Sequence, residues 1–109
     1  MGMVTKRFDV WLVELDPTIG SEIKKIRPAV IVSSDEMNRH LNTVIIAPMT
    51  TVIKNYPTRI KIRFQKKAGE IAFDQIRAVD KARLIEKIGT IDYSTHHLIC
   101  STLKTMFEY

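Results

Sequence analysis

The sequence predicts a mainly β fold with one C-terminal helix, a small barrel or twisted sheet. Three observations predict it. Short runs rich in β-formers recur from Asp9 to Ile91, separated by turn residues. The stretch Thr58 to Phe64 alternates apolar and basic residues without a break. From Ser94 onward the apolar spacing changes from period two to that of an α-helix.

Taken in order, Asp9 to Leu15 (DVWLVEL) reads as a strand ended by Asp16-Pro17, and Ile19 to Ile26 as a polar, basic loop around Gly20. Pro28 to Ser33 and Thr43 to Ala47 are almost wholly apolar, as central strands covered on both faces are. Between them, Ser34 to Leu41 fits a helical turn with Ser34 as its N-cap. In Thr58 to Phe64, Ile60, Ile62 and Phe64 face one side while Arg59, Lys61 and Arg63 face the other. Lys66 to Gly69 reads as a basic turn. Two strand pieces follow, Glu70 to Phe73 and Gln75 to Val79, meeting at Asp74. Lys81 to Arg83 fits one helical turn, and Leu84 to Ile91 a strand broken at Gly89. In the tail, Leu98, Ile99, Leu103, Met106 and Phe107 share one helical face, with Ser94 placed as N-cap.

The 109 residues suit one domain spanning 1–109, which excludes enzyme classes that need a large scaffold. A 45% hydrophobic and 27% charged composition excludes intrinsic disorder. Seventeen Lys and Arg against twelve Asp and Glu give a net charge of +5, which points to an anionic partner. The single cysteine, Cys100, excludes an internal disulfide framework and a cysteine zinc cluster, and it reads as a small core residue. Met1 to Arg7 is short and polar, no apolar run approaches the ~20 residues of a membrane span, and a cytoplasmic protein is expected.

Four groups of residues carry chemical interest. The loop from Asp16 to Pro28 gathers Glu22, Lys24, Lys25 and Arg27, either as a routine solvated charge mix or as an anion site. Arg27 precedes Pro28, which favours extended backbone, and so stands at the mouth of an apolar strand where its fork can meet a phosphate. Thr50 and Thr51 follow the other apolar strand, with Pro48 closing it; their hydroxyls serve either as turn formers or as donors to a phosphate. Asp74, Gln75 and Arg77 form either an ion pair at a bulge or the lining of a groove. Arg59, Lys61 and Arg63 make a charged strand face of one sign, with neighbours about 6.6–7 Å apart, close to the phosphate spacing of a nucleic-acid strand. The histidines form no site by spacing, and neither HExxH nor a glycine-rich phosphate loop is present, so metal-free chemistry without a cofactor is expected.

The run DVWLVELDPTIGSEIKKIRPAVIVSSDEMNR resembles the N-terminal half of the MazF/PemK/Kid family of bacterial toxins. Its D-P-x-x-G-S-E, basic loop and R-P-A follow the family's order, and APMTT and FDQIRAVD resemble the second and third motifs. The likeness spans almost the whole chain. Two departures stand out: Phe8, where the family commonly has glycine, and Ala72, where some members carry a catalytic arginine. The sequence is closer to the branch that relies on the loop arginine and the threonine, here Arg27 and Thr50. The resemblance implies an SH3-like β-barrel and a homodimeric toxin that cleaves single-stranded RNA at short sequences. It also implies an antitoxin partner whose acidic C-terminal segment blocks the RNA groove.

On this reading Arg27 stabilises charge on the phosphorus, Thr50 hydrogen-bonds the same phosphate, and Glu22 is the physically better base. Lys24, Lys25, Thr51, Arg59, Lys61, Arg63, Asp74, Gln75 and Arg77 are assigned to RNA binding. Two alternatives use the same barrel: a toxin that poisons gyrase by binding, and a non-catalytic RNA-binding module.

Overall fold

The computed structural model describes residues 4–109. Strands β1 (Asp9–Glu14), β2 (Ile26–Ile31), β3 (Thr43–Thr50), β4 (Arg59–Phe64), β5 (Lys67–Ala72), β6 (Arg77–Asp80) and β7 (Leu84–Thr90) form one curled sheet. Its order is β4-β5-β3-β2-β1-β7, with β6 also on β3. A short helix α1 (Asp35–His40) links β2 to β3, and α2 (Tyr93–Met106) closes the fold. Single 3-10 turns occupy Phe73–Gln75 and Lys81–Arg83.

The central strands bury both faces, as their unbroken apolar runs require. Alternate residues divide between two cores. Val10, Val30, Val32, Ala47, Met49, Ile71 and Phe73 lie on one side with Ile99 of α2. Trp11, Val13, Ala29, Ile31, Val44 and Ile46 lie on the other. Only one face of α2 packs, through Ile99, Leu103 and Met106. Leu98, expected on that face, stands 50% exposed, because the helix meets a curved sheet along a narrow stripe, and Phe107, also expected there, is 71% exposed as the C-cap just past the last helical residue.

Several boundaries differ from expectation for identifiable reasons. β3 does not end at Ala47 but runs through Pro48 to Thr50. Val32 N–H donates to Ile45 O, so by alternation Ala47 bonds β2 while the nitrogen of Pro48 faces the other edge. There β6 pairs as far as Ile46 and β5 begins at Met49, so the missing N–H of Pro48 falls where β3 changes neighbours. The turn placed at Lys66 to Gly69 is instead the two residues Gln65 and Lys66, both at positive φ, as in a type I′ hairpin. β5 therefore starts at Lys67. Gly89 does not break β7; a register shift there skips Ile88 against β1. The Cβ missing at Gly89 would lie 2.8 Å from the Phe64 ring.

The caps divide in the same way. Ser34 does cap α1, accepting from Met37 N–H at 3.2 Å. Ser94 lies inside α2, whose N-cap is Asp92 without a side-chain bond. Phe8 adopts φ 73°, a conformation that glycine takes without strain. Its ring stacks on His96 at 3.7 Å and lies 5.3 Å below the Arg7 guanidinium, contacts that a glycine lacks. Cys100 is half-buried, 3.5 Å from the Arg7 guanidinium.

Candidate active site

The site lies where β2 begins and β3 ends. Because β1 and β2 are antiparallel neighbours, the residues between them form a loop at one end of these interior strands. That loop is held by its own sequence. Glu22 and Ile19 exchange hydrogen bonds, the carboxylate accepting Ile19 N–H at 2.6 Å and Ile19 O accepting Glu22 N–H at 3.2 Å. Gly20 (φ 58°) supplies the left-handed turn. Gln75 anchors the loop from below: its side chain accepts Ile23 N–H at 2.6 Å and donates to Ser21 O at 3.3 Å.

This brings Glu22, Lys24, Arg27, Thr50, Lys54, Arg59 and Gln75 to one open hollow of about 260 Å³. A neighbouring hollow of about 210 Å³ shares Arg27 and Thr50 and continues past Thr51, Phe64 and Gly69. Together they make a groove suited to an extended strand rather than to an enclosed small molecule. Four of the residues lining the first hollow are cationic and one, Glu22, is a carboxylate. A phosphodiester is favoured there over a neutral ligand.

The two residues expected at the centre, Arg27 and Thr50, both line these hollows. Arg27 is half-buried and donates from Nε to Lys24 O at 3.2 Å. Among the described residues no carboxylate lies within ion-pair distance of it, which leaves its charge for a ligand. Thr50 Oγ1 accepts Val52 N–H at 3.1 Å, so its hydroxyl proton remains available to donate. Gly69 brings β5 close behind Thr50: a Cβ there would meet Thr50 O at 2.4 Å.

Other assignments are redistributed. Arg59 is not a free cation beside Lys61 and Arg63. Its Nε and one terminal nitrogen grip Asp74 at 2.6 and 3.0 Å, and the other reaches Glu70 at 3.5 Å. The Asp74 hydrogen bond raises the Arg59 pKa above its ordinary value, in spite of burial. The same bond from Arg59 holds the Asp74 carboxyl below the usual range. Thr58 also donates to Asp74, at 3.1 Å, so both oxygens of Asp74 already have protein partners. Arg77 does not pair with Asp74; it donates to Leu15 O at 3.0 Å and so ties β6 to the start of the loop. Asp74, Gln75 and Arg77 thus act first on the protein itself.

Lys61 and Arg63 are exposed and line a separate shallow hollow with Ile53 and Gly69. Lys25, at φ 71°, is exposed and outside the lining of the Arg27 groove. Thr51 lies on the Gly69 side of the groove.

Sequence reasoning missed Glu70. Its side chain is fully buried, accepting Lys54 N–H at 2.9 Å, Asn55 N–H at 3.0 Å and an Arg59 N–H at 3.5 Å. Burial pushes its carboxyl up, but the Lys54 and Asn55 amides and the Arg59 charge outweigh burial and hold it below the ordinary value. The available signal was a carboxylate heading an otherwise apolar strand segment, EIAF. Among the described residues, no three His, Cys, Asp or Glu side chains converge as metal ligands would.

The family of PemK-like, MazF-like toxins of type II toxin–antitoxin systems matches residues 6–107. The chain belongs to this family. It is 36% identical over 96 residues to endoribonuclease EndoA of Bacillus subtilis (strain 168), covering 83% of each chain. It is 40% identical over 95 residues to endoribonuclease MazF of Staphylococcus epidermidis, covering 82% of this chain and 79% of that one. The fold is similar to that of MazF from Deinococcus radiodurans, with a TM-score of 0.86 and 19% identity over 99% of this chain and all (100%) of that one. It is also similar to a mycobacterial endoribonuclease solved with its cognate antitoxin, with a TM-score of 0.78 and 24% identity over 93% and 92% of the two chains. These likenesses agree with the mainly β barrel and C-terminal helix expected of a MazF/PemK toxin. Among the described residues no helix is long and apolar enough to cross a membrane.

Proposed function

We propose that this MazF-type toxin is an endoribonuclease that cleaves single-stranded RNA at short sequences, without a metal, in the cytoplasm where translation occurs. The observation that carries the reading is Arg27, unpaired with any carboxylate among the described residues, opposite Thr50 in a cationic groove. RNA supplies its own nucleophile, the 2′-hydroxyl. Its attack on the adjacent phosphorus forms a 2′,3′-cyclic phosphate and expels the 5′-oxygen, which must be protonated.

The residues divide that work. Arg27 presents a planar, charged fork that binds two phosphoryl oxygens as charge accumulates on them. The Thr50 proton, free because its oxygen already accepts Val52 N–H, fixes the same phosphate. Glu22, the carboxylate of the groove, is the base for the 2′-hydroxyl. Lys24, Lys25, Thr51, Lys61 and Arg63 supply affinity along the flanking nucleotides. One domain spanning 1–109, acting as a homodimer, completes the proposal. An antitoxin with an acidic segment fits the same cationic groove and would compete with RNA for it.

Purified protein incubated with a long RNA, followed by mapping of the new ends, tests this directly. Cuts at a short recurring sequence, bearing 5′-hydroxyl ends and persisting in EDTA, are expected. Loss of cutting in EDTA with recovery in magnesium overturns the metal-free mechanism. Intact RNA overturns the nuclease reading and leaves the binding-only alternatives.

A further inference from the structure

Glu70 is the one fully buried carboxylate among the described residues that no step of the proposed chemistry uses. A buried charge is costly unless its hydrogen bonds are complete. Here the partners are informative. Two are consecutive backbone amides, Lys54 and Asn55, in a segment with no strand or helix of its own, 51–58. Asn55 sits at φ 58°, so the chain turns sharply around the carboxylate. The third is Arg59, at the end of that segment.

The segment held in this way is one wall of the groove. Val52, Lys54 and Arg59 line the hollow with Arg27 and Thr50. Glu70 pairs directly with Thr50 in the β3–β5 register, and with Lys61 in the β4–β5 register. Its neighbour Gly69 permits the close approach behind Thr50. One carboxylate therefore links the strand bearing the proposed phosphate-binding hydroxyl to the opposite wall.

We infer that Glu70 is a positioning residue that sets the shape of the RNA groove, and with it the choice among RNA sequences, by holding the Lys54–Asn55 backbone and Arg59. The inference rests on the ribonuclease reading. Glu70 touches no reacting atom. Its effect is to keep Lys54 and the 51–58 wall at a constant distance from Arg27 and Thr50, so that only bases of matching shape settle against the wall.

Glu70→Gln tests it, since the amide keeps the volume but presents a donor to groups that are themselves donors. Amide exchange at Lys54 and Asn55, read by NMR in the folded protein, is expected to speed up at least about tenfold. Cleavage of the preferred sequence should fall by about tenfold or more. The deciding quantity is the ratio of cleavage rates for two different RNA sequences in one reaction. A loss of folded protein rescales both rates equally, whereas a displaced wall changes their ratio, here by about threefold or more. Should Glu70→Gln fail to fold, Glu70→Val removes the buried charge while Arg59 keeps Asp74, and the same outcomes are expected. Wild-type protein that cleaves no RNA overturns the ribonuclease reading and this inference with it. Wild-type cleavage together with an unchanged ratio in the variant, whatever its amide exchange, overturns this inference alone.

Discussion

Arg27 and Arg59 line the same hollow and differ in almost every other respect. Arg27 stands at the start of β2 and spends one nitrogen on a backbone carbonyl. Arg59 stands at the start of β4 and is held by two carboxylates. Sequence alone makes both of them cations beside a strand. Among the described residues the structure leaves one without a carboxylate partner and makes the other a rivet. What separates them is the partner set, since a guanidinium bound to a carboxylate on one face and a second on another has little left to offer a phosphate.

The largest effect that tests this contrast is at Arg27. Arg27→Ala should reduce RNA cleavage by about a hundredfold or more, with the thermal midpoint nearly unchanged, because no buried carboxylate loses its partner. Arg27→Lys should restore little, since an ammonium lacks the planar fork. An Arg27→Ala protein that still cleaves RNA removes the distinction between the two arginines.

Arg59→Ala should act in the opposite sense, on stability first. It strands the buried Glu70 and releases Asp74, costing about 3 kcal/mol, as read by urea unfolding. The same rivet predicts a pH dependence. Glu70 and Asp74 both have carboxyl pKa values lowered from ordinary values of 4.5 and 3.8. A carboxylate lowered by folding contributes stability that is present above its unfolded pKa and is lost as pH falls through the folded one. Acidification from about pH 4.5 downward should therefore destabilise the native protein, and less steeply in Glu70→Gln than in the wild type. Arg27→Ala should leave that acid limb in place.

The smallest effect belongs to the exposed cations. Lys61→Ala and Arg63→Ala should each weaken RNA binding a few-fold and lower the slope of log affinity against log salt by about 0.7 for each phosphate no longer neutralised. An unchanged slope would place both residues outside the RNA path.

Much of the fold was legible because periodicity reports burial. The apolar runs of β2 and β3, the alternation in β4 and the stripe of α2 all follow from which faces meet the core. What sequence missed depended on distant neighbours. Pro48 read as a strand end because its harmlessness depends on where β5 and β6 abut β3. The basic run at Lys66 and Lys67 read as one turn, although only Gln65 and Lys66 have turn geometry. At the site, Glu22, Arg27 and Thr50 were legible from motif and strand ends, and they line one hollow. The roles of Arg59 and Glu70 were not, because their partners lie 11, 15 and 16 residues away and are chosen by the β4–β5 hairpin register and the 3-10 turn after β5. Local sequence shows that Arg59 is charged. Only the register shows with what.

The order of strands along the chain has a consequence for synthesis. Every residue lining the groove lies between Ser21 and Glu70 or at Gln75, yet the strand that pairs with β1 on its far side is β7, beginning at Leu84. A ribosome making this protein completes all of the groove's side chains before it has made the strand that flanks β1 or the helix that covers the core. At that point the growing chain holds every residue of the groove but lacks the strand that flanks β1 in the curled sheet.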